Sequence, residues 1–308
     1  MRKACLNAVY ELAKQDERIV FIGSDLGYGV LDEFKKEMPN RFFMEGIAEA
    51  NVIGMATGLA MEGKIVYINT IAPFLTRRCF EHILVDLCHH NVNVRFIGNG
   101  GGLVYAPLGP THLAFEDIAA MRCIPNMTIV APSDADEMNR FMPLTVDHKG
   151  PVYIRLAKGY DPIVSSDAHP FEIGKAIPVK KGNDALVVTT GITLKLAMEA
   201  SDILQKEGID LSMLHMHTVK PLDKEALLSI ASKVRAVVSI EEHSIIGGMG
   251  GAVAEILAES DLNKPPRFRR IGLPDLFPDD YGSQASLMEK YAITTENLIT
   301  TIKQLLTR

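Results

Sequence analysis

The sequence predicts an α/β protein of two consecutive domains, each a mostly parallel sheet covered by helices. Three observations carry that prediction. The 308 residues are enough for two domains of about 150 residues, each able to bury a core. Apolar, β-branched runs alternate with amphipathic segments long enough to be crossover helices, which parallel pairing requires. The composition is 47 % hydrophobic without a Trp, which suits strands buried on both faces.

In the first half, Ile19 to Gly23, Ile65 to Ile68, Val92 to Ile97, Met127 to Val130 and Val152 to Leu156 read as strands. A helix is predicted from Thr76 to His89, because Phe80, Ile83, Leu84, Leu87 and Cys88 recur at helical spacing. Another begins near Ser133, whose hydroxyl can cap the first-turn amides. Lys158 to Pro170 carries turn formers and no periodicity, so it is read as a linker dividing residues 1–165 from 166–308. The alternation then restarts. Leu186 to Thr189, Leu211 to Leu214, Ala236 to Ile240 and Phe268 to Ile271 read as strands. Helices are expected near Leu194 to Lys206, Lys224 to Ser232, Gly251 to Ala258 and Thr295 to Leu306.

The net charge of -6, with no basic cluster larger than Arg267 to Arg270, argues against a nucleic-acid partner. No stretch reaches 18 apolar residues and the N-terminus lacks the apolar core of a signal peptide, so a cytoplasmic protein without a membrane partner is expected. Cys5, Cys79, Cys88 and Cys123 form no CxxC pair and are expected to be reduced thiols rather than zinc ligands or disulfides.

Two segments could carry chemistry. GIAEAN (46–51) opens a helix in which Gly54, Ala56, Gly58 and Ala60 would let another backbone approach. Glu49 stands at its start, where a carboxylate can either meet the helix dipole or lie buried at a subunit seam. The second segment, GNGGGLVYAPLGPTH (98–112), is a long loop after a strand and ends in His112. Parallel sheets place ligands in such loops, and a loop of this length inside a compact domain is usually functional.

Together, GIAEAN, GLAMEG, PFL, GPTH with a following ED, IPN and APSDADE resemble the central, pyrimidine-binding domain of transketolases and 1-deoxyxylulose-5-phosphate synthases. TVKPLD (218–223) and EEHSIIGGMGGAVAE (241–255) resemble their C-terminal domain. The resemblance implies transfer of a two-carbon ketol unit from a ketose donor to an aldehyde acceptor, with thiamin diphosphate as cofactor. Glu49 would hydrogen-bond the cofactor's aminopyrimidine and promote loss of the thiazolium proton. Phe74 would stack on the pyrimidine, with Ile47 and Phe80 as further cofactor contacts, although the helical periodicity at Phe80 already accounts for it. His112 matches the His that meets substrate oxygens.

The resemblance also exposes departures. The Gly-Asp-Gly segment and Asn pair that hold magnesium (or calcium) and the diphosphate have no match here, so no metal ligand is expected in this chain. A separate diphosphate-binding subunit in an α2β2 assembly would supply them. Leu108 replaces the Asp that reads sugar hydroxyls, which suggests a deoxy, branched or nucleotide-linked sugar. The phosphate-reading Arg corresponds to Lys158, or to Arg155 three residues earlier, and Asn99-Gly100-Gly101 stands where a second active-site His would be. A 2-oxoacid dehydrogenase β subunit, a deoxyxylulose-phosphate synthase, and a partner that regulates without turnover are the alternatives.

Overall fold

The computed structural model describes residues 1–24, 29, 31–157, 159 and 161–307. Two sheets organise the chain. The first contains β1 (Ile19–Gly23), β2 (Phe42–Met44), β3 (Ile65–Ile71), β4 (Val94–Asn99), β5 (Thr128–Val130) and β6 (Val152–Leu156), in the order β5-β6-β4-β3-β1-β2 and all parallel. The second contains β7 (Ile177–Lys180), β8 (Ala185–Thr189), β9 (Leu211–His215), β11 (Ala236–Ser244) and β12 (Arg267–Leu273), in the order β12-β11-β8-β9-β7, with β7 antiparallel. One strand crosses over: β10 (Thr218–Lys220) runs antiparallel to β5 and completes the first sheet as its seventh strand. Every residue of β1, β4, β6, β8 and β9 is buried, as expected for strands with helices on both faces.

The halves share more than a sheet edge. One hydrophobic cluster runs from Ile68, Phe96 and Met121 to Leu186, Met216, Leu227 and Val253. Another draws Leu103, Ala106 and Leu113 of the glycine-rich loop into the core built by Val187, Val238 and Ile302. An apolar junction of this kind disfavours relative motion of the halves. The 161–170 stretch is irregular and is tied down by Asp134, whose carboxylate accepts from the Val164 and Ser165 amides at 2.8 and 2.7 Å.

Several local expectations are corrected. The helix expected from Thr76 to His89 is three pieces: Ala72–Arg78, Phe80–His82 and a π-helical segment, Ile83–Cys88. It begins earlier because Pro73 is tolerated in the first turn, where no amide partner is needed. It breaks at Cys79, with φ -105° and ψ 11°. The buried positions Leu75, Cys79, Ile83 and Leu87 follow one another every four residues, wider than the α period of about 3.6, and this widening accompanies the π segment. The cap near Ser133 is Asp134, which accepts from Asp136 and Glu137 amides, while Ser133 gives its own amide to Glu137. Strands β2, β7 and β10 were too short or too polar to announce themselves. Among the described residues no helix is long and apolar enough to cross a membrane.

Candidate functional site

The carboxyl ends of β1, β3 and β4 meet in a buried polar floor. Asn99 donates to Asn69 and to the Thr70 carbonyl, at 2.5 and 3.0 Å, and Ser24 donates to Thr70 at 2.8 Å. Three segments rise from this edge: the Glu49–Met61 helix, the Ala72–Arg78 helix after β3, and the 100–116 loop after β4.

Glu49 occupies the first helical position and is only 4 % exposed, although no side chain caps that helix. Its carboxylate faces Arg78, whose Nη1 donates to Oε2 at 3.2 Å while the Arg78 side chain stays 52 % exposed. The same guanidinium lies over the Phe74 ring, 4.3 Å from its centroid. Phe74 in turn meets His112 edge to face, with ring centroids 5.0 Å apart. Glu49, Phe74 and His112, picked from different parts of the sequence, therefore lie along one line of contacts. Ile47 is 73 % exposed on the loop before Glu49, open to a ligand or a partner. Phe80 is half-buried and packs against the hydrophobic core.

Two arginines of the Ala72–Arg78 helix were missed by sequence reading. Arg77 donates to the Leu113 carbonyl at 2.7 Å and to Glu116 at 2.9 Å, so it fastens the loop that carries His112. Arg78 completes the contact between Glu49 and Phe74. The available signal was their spacing: three and four residues beyond Phe74, both lie on the same face of one helix. Of the small residues in the Glu49–Met61 helix, Gly54 and Gly58 face outward, where an added Cβ would meet nothing within 4 Å. Ala56 and Ala60 instead pack into the chain's own core.

Arg155, expected to face substrate, is committed elsewhere. Its Nε bonds Asp117 at 2.8 Å and its Nη2 donates to the Ala114 and Glu242 carbonyls at 3.1 and 2.9 Å. Tyr153 adds a 2.6 Å hydrogen bond to Asp117. Burial would raise the Asp117 carboxyl, but the charges of Arg155 and His243 override it and hold the group below the usual carboxylate range. This network fastens the loop to the second half. It allows no intrusion: a Cβ on Gly102, at φ +73°, would come within 2.4 Å of the Glu242 carboxyl carbon. Lys158 lies outside the described residues. Leu108 is 49 % exposed at the loop's tip, beside Gly109, whose φ of +78° and missing Cβ make room for the Tyr281 ring. Among the described residues no group of three or more His, Cys, Asp or Glu could hold a metal ion.

Glu242 gives a pH-dependent test of the fastening. Burial pushes its carboxyl up from 4.5 to about 7, against the pull of Arg155. Because the folded value lies above the unfolded one, the folded chain binds more protons between those two values. Stability therefore falls as pH rises through that window, and the loss is complete above about pH 7, amounting to about 3 kcal/mol. Glu242→Gln is expected to flatten this dependence, gaining on the wild type in urea melts at pH 8 but not at pH 4. The same difference at both pH values would contradict it.

Comparisons with known proteins place both halves of the chain in one family. The chain matches the profile of the transketolase pyrimidine binding domain over residues 1–160 and that of the transketolase C-terminal domain over residues 174–298. It is 36 % identical to the 6-deoxy-6-sulfo-D-fructose transketolase subunit SqwH of Clostridium sp. (strain MSTE9), over 97 % of this chain and 92 % of that protein. It is 37 % identical to a subunit of the apulose-4-phosphate transketolase of Phocaeicola vulgatus, over 89 % of this chain and 87 % of that one. A solved structure described as a split gene transketolase, an inactive beta4 tetramer, superposes with a TM-score of 0.90 at 37 % identity, covering 99 % of this chain and 98 % of that one.

Proposed function

Since the chain belongs to the transketolase family, which depends on thiamin diphosphate, we propose that it is the pyrimidine-side subunit of a split transketolase and that Glu49 is its acid-base residue. One observation carries this most: a nearly buried carboxylate at a helix start shares its neighbourhood with an aromatic ring and a histidine, on three elements that converge at one sheet edge. The residues fit the pyrimidine half of the cofactor. The space between Glu49 and Phe74 already accommodates a planar nitrogen donor, the Arg78 guanidinium, and would accommodate a flat ring that bonds the carboxylate and stacks on Phe74. When bound, the cofactor supplies the nucleophilic carbon that accepts a two-carbon ketol unit and passes it to an aldehyde.

Glu49 would hold and exchange the proton at the pyrimidine nitrogen, in a site with little water to compete for it. His112, fixed by Arg77 through its loop, would orient substrate oxygens and move a proton there. Magnesium and the diphosphate would be held by a separate subunit in an α2β2 enzyme in the cytoplasm; relatives of similar extent are themselves named as subunits. The substrate would be a modified sugar. Supporting this, Leu108 offers an apolar side chain at the loop tip, and the two relatives are named for 6-deoxy-6-sulfo-D-fructose and apulose-4-phosphate.

The test is reconstitution of the chain with a diphosphate-binding transketolase subunit, followed by mass spectrometry of the products from a panel of ketoses and aldehydes. Transfer of a two-carbon unit is expected only from the pair. A pair that assembles and transfers nothing across the panel would overturn the reading. Leu108→Asp should shift kcat/KM toward ordinary hydroxylated sugars by about tenfold to a hundredfold. An unchanged ratio would remove Leu108 from the specificity site.

A further inference from the structure

The Arg78 guanidinium makes, at the same time, the two contacts that the proposed function assigns to the aminopyrimidine: a hydrogen bond to the Glu49 carboxylate at 3.2 Å and a stack on Phe74 at 4.3 Å. A ring reaching both residues would need the same volume. We propose that Arg78 is a placeholder, which occupies the pyrimidine position in the cofactor-free chain and must swing out for the cofactor to enter. The proposal rests on the reading that Glu49 and Phe74 hold the pyrimidine.

Charge and exposure explain why such a placeholder is useful and easily displaced. Glu49, 4 % exposed, would otherwise be a nearly buried anion without a counter-charge, an unfavourable arrangement that invites the helix start to rearrange. Arg78 supplies that charge from the solvent side, with half of its own side chain still in water. It is the last residue of the Ala72–Arg78 helix, next to the Cys79 break. Among the described residues its guanidinium makes no hydrogen bond or ion pair other than the one to Glu49. Arg77, one residue earlier, differs in this respect, being fastened by three hydrogen-bond partners in the His112 loop. A half-exposed ion pair and a half-exposed cation-π contact are each weak, so the placeholder resists entry without blocking it.

A cofactor that binds only the displaced state has its apparent affinity reduced by the fraction of chains in that state. Removing the placeholder should therefore tighten binding by about threefold to thirtyfold, the combined strength of the two contacts. The experiment is calorimetric titration of thiamin diphosphate with magnesium into the chain reconstituted with its diphosphate-binding subunit, as wild type and as Arg78→Met, Arg78→Gln and Arg78→Lys. Stopped-flow quenching of intrinsic tyrosine fluorescence would give association rates. Arg78→Met and Arg78→Gln should both bind more tightly and associate faster, with Arg78→Lys between them and the wild type, because lysine keeps the charge but not the flat stack. Weaker binding in the Met and Gln variants would mean that Arg78 supports the bound state, by contacting the cofactor or by holding the Glu49 helix start, and unchanged binding would mean that the two do not compete. Either result overturns the placeholder while leaving the shared site intact. A wild-type pair that assembles but binds no cofactor would overturn both.

Discussion

Glu49→Gln is expected to lower kcat of the reconstituted enzyme by about a hundredfold to ten-thousandfold while leaving the fold of this chain nearly unchanged. The two readouts separate the functional role of Glu49 from its structural one. Structurally, the carboxylate meets the first turn of the Glu49–Met61 helix and the half-exposed Arg78. An ion pair open to water on its arginine side and a helix-end charge are each worth about 1 kcal/mol, and the neutral amide strands no charge, so an isosteric amide should cost little in a urea melt. Chemically, the amide keeps the shape and some hydrogen bonding but cannot accept and return a proton. Turnover within a few-fold of wild type would place Glu49 among ordinary helix-end carboxylates. A large loss of stability alongside the lost activity would leave its chemical role unsupported.

Arg155→Met should have the opposite signature, with its effect mainly on stability. The substitution leaves Asp117 fully buried with Tyr153 as its remaining hydrogen-bond donor, and it removes the guanidinium donor from the Ala114 and Glu242 carbonyls, of which Ala114 keeps the Gly102 amide. Breaking one side of a buried pair costs about 3–5 kcal/mol, enough to loosen the 100–116 loop where it enters the second core. Arg155→Lys should recover only part, since one ammonium cannot span the three acceptors. Adding Asp117→Asn to Arg155→Met should restore some stability by removing the stranded charge. Urea denaturation of the isolated chain checks all three. If Arg155→Met melts like the wild type and instead raises KM for a phosphorylated substrate, then Arg155 reads substrate, as its closeness to the family's arginine position first suggested.

Most of the sheet architecture was legible because burial on both faces writes continuous apolar runs, as in Ile19–Gly23 and Ala185–Thr189. The assignment of β10 to the first sheet was not, because Thr218 to Lys220 carries only three residues and no local signal says which sheet a strand will join. The break at Cys79 was hidden because the apolar stripe continues across it with a slightly longer period. In the site, Glu49, Phe74 and His112 were found through short motifs, and the structure brings them to one edge. Arg77 and Arg78 escaped notice because a charged pair late in a helix ordinarily reads as a solvated face. Their significance comes from Glu116 and Glu49, 39 and 29 residues away. The setting of Arg155 was hidden for a related reason: its partners, Asp117 and the Glu242 carbonyl, lie 38 and 87 residues away, so its burial could not be read from its neighbours.

The most direct test of a cofactor site shared between unlike chains is calorimetric titration of thiamin diphosphate and magnesium into this chain alone, into the diphosphate-binding subunit alone, and into the two together. Tight binding is expected only for the pair, with loss in Glu49→Ala. Equally tight binding to either chain alone, or a pair indifferent to Glu49→Ala, would contradict it.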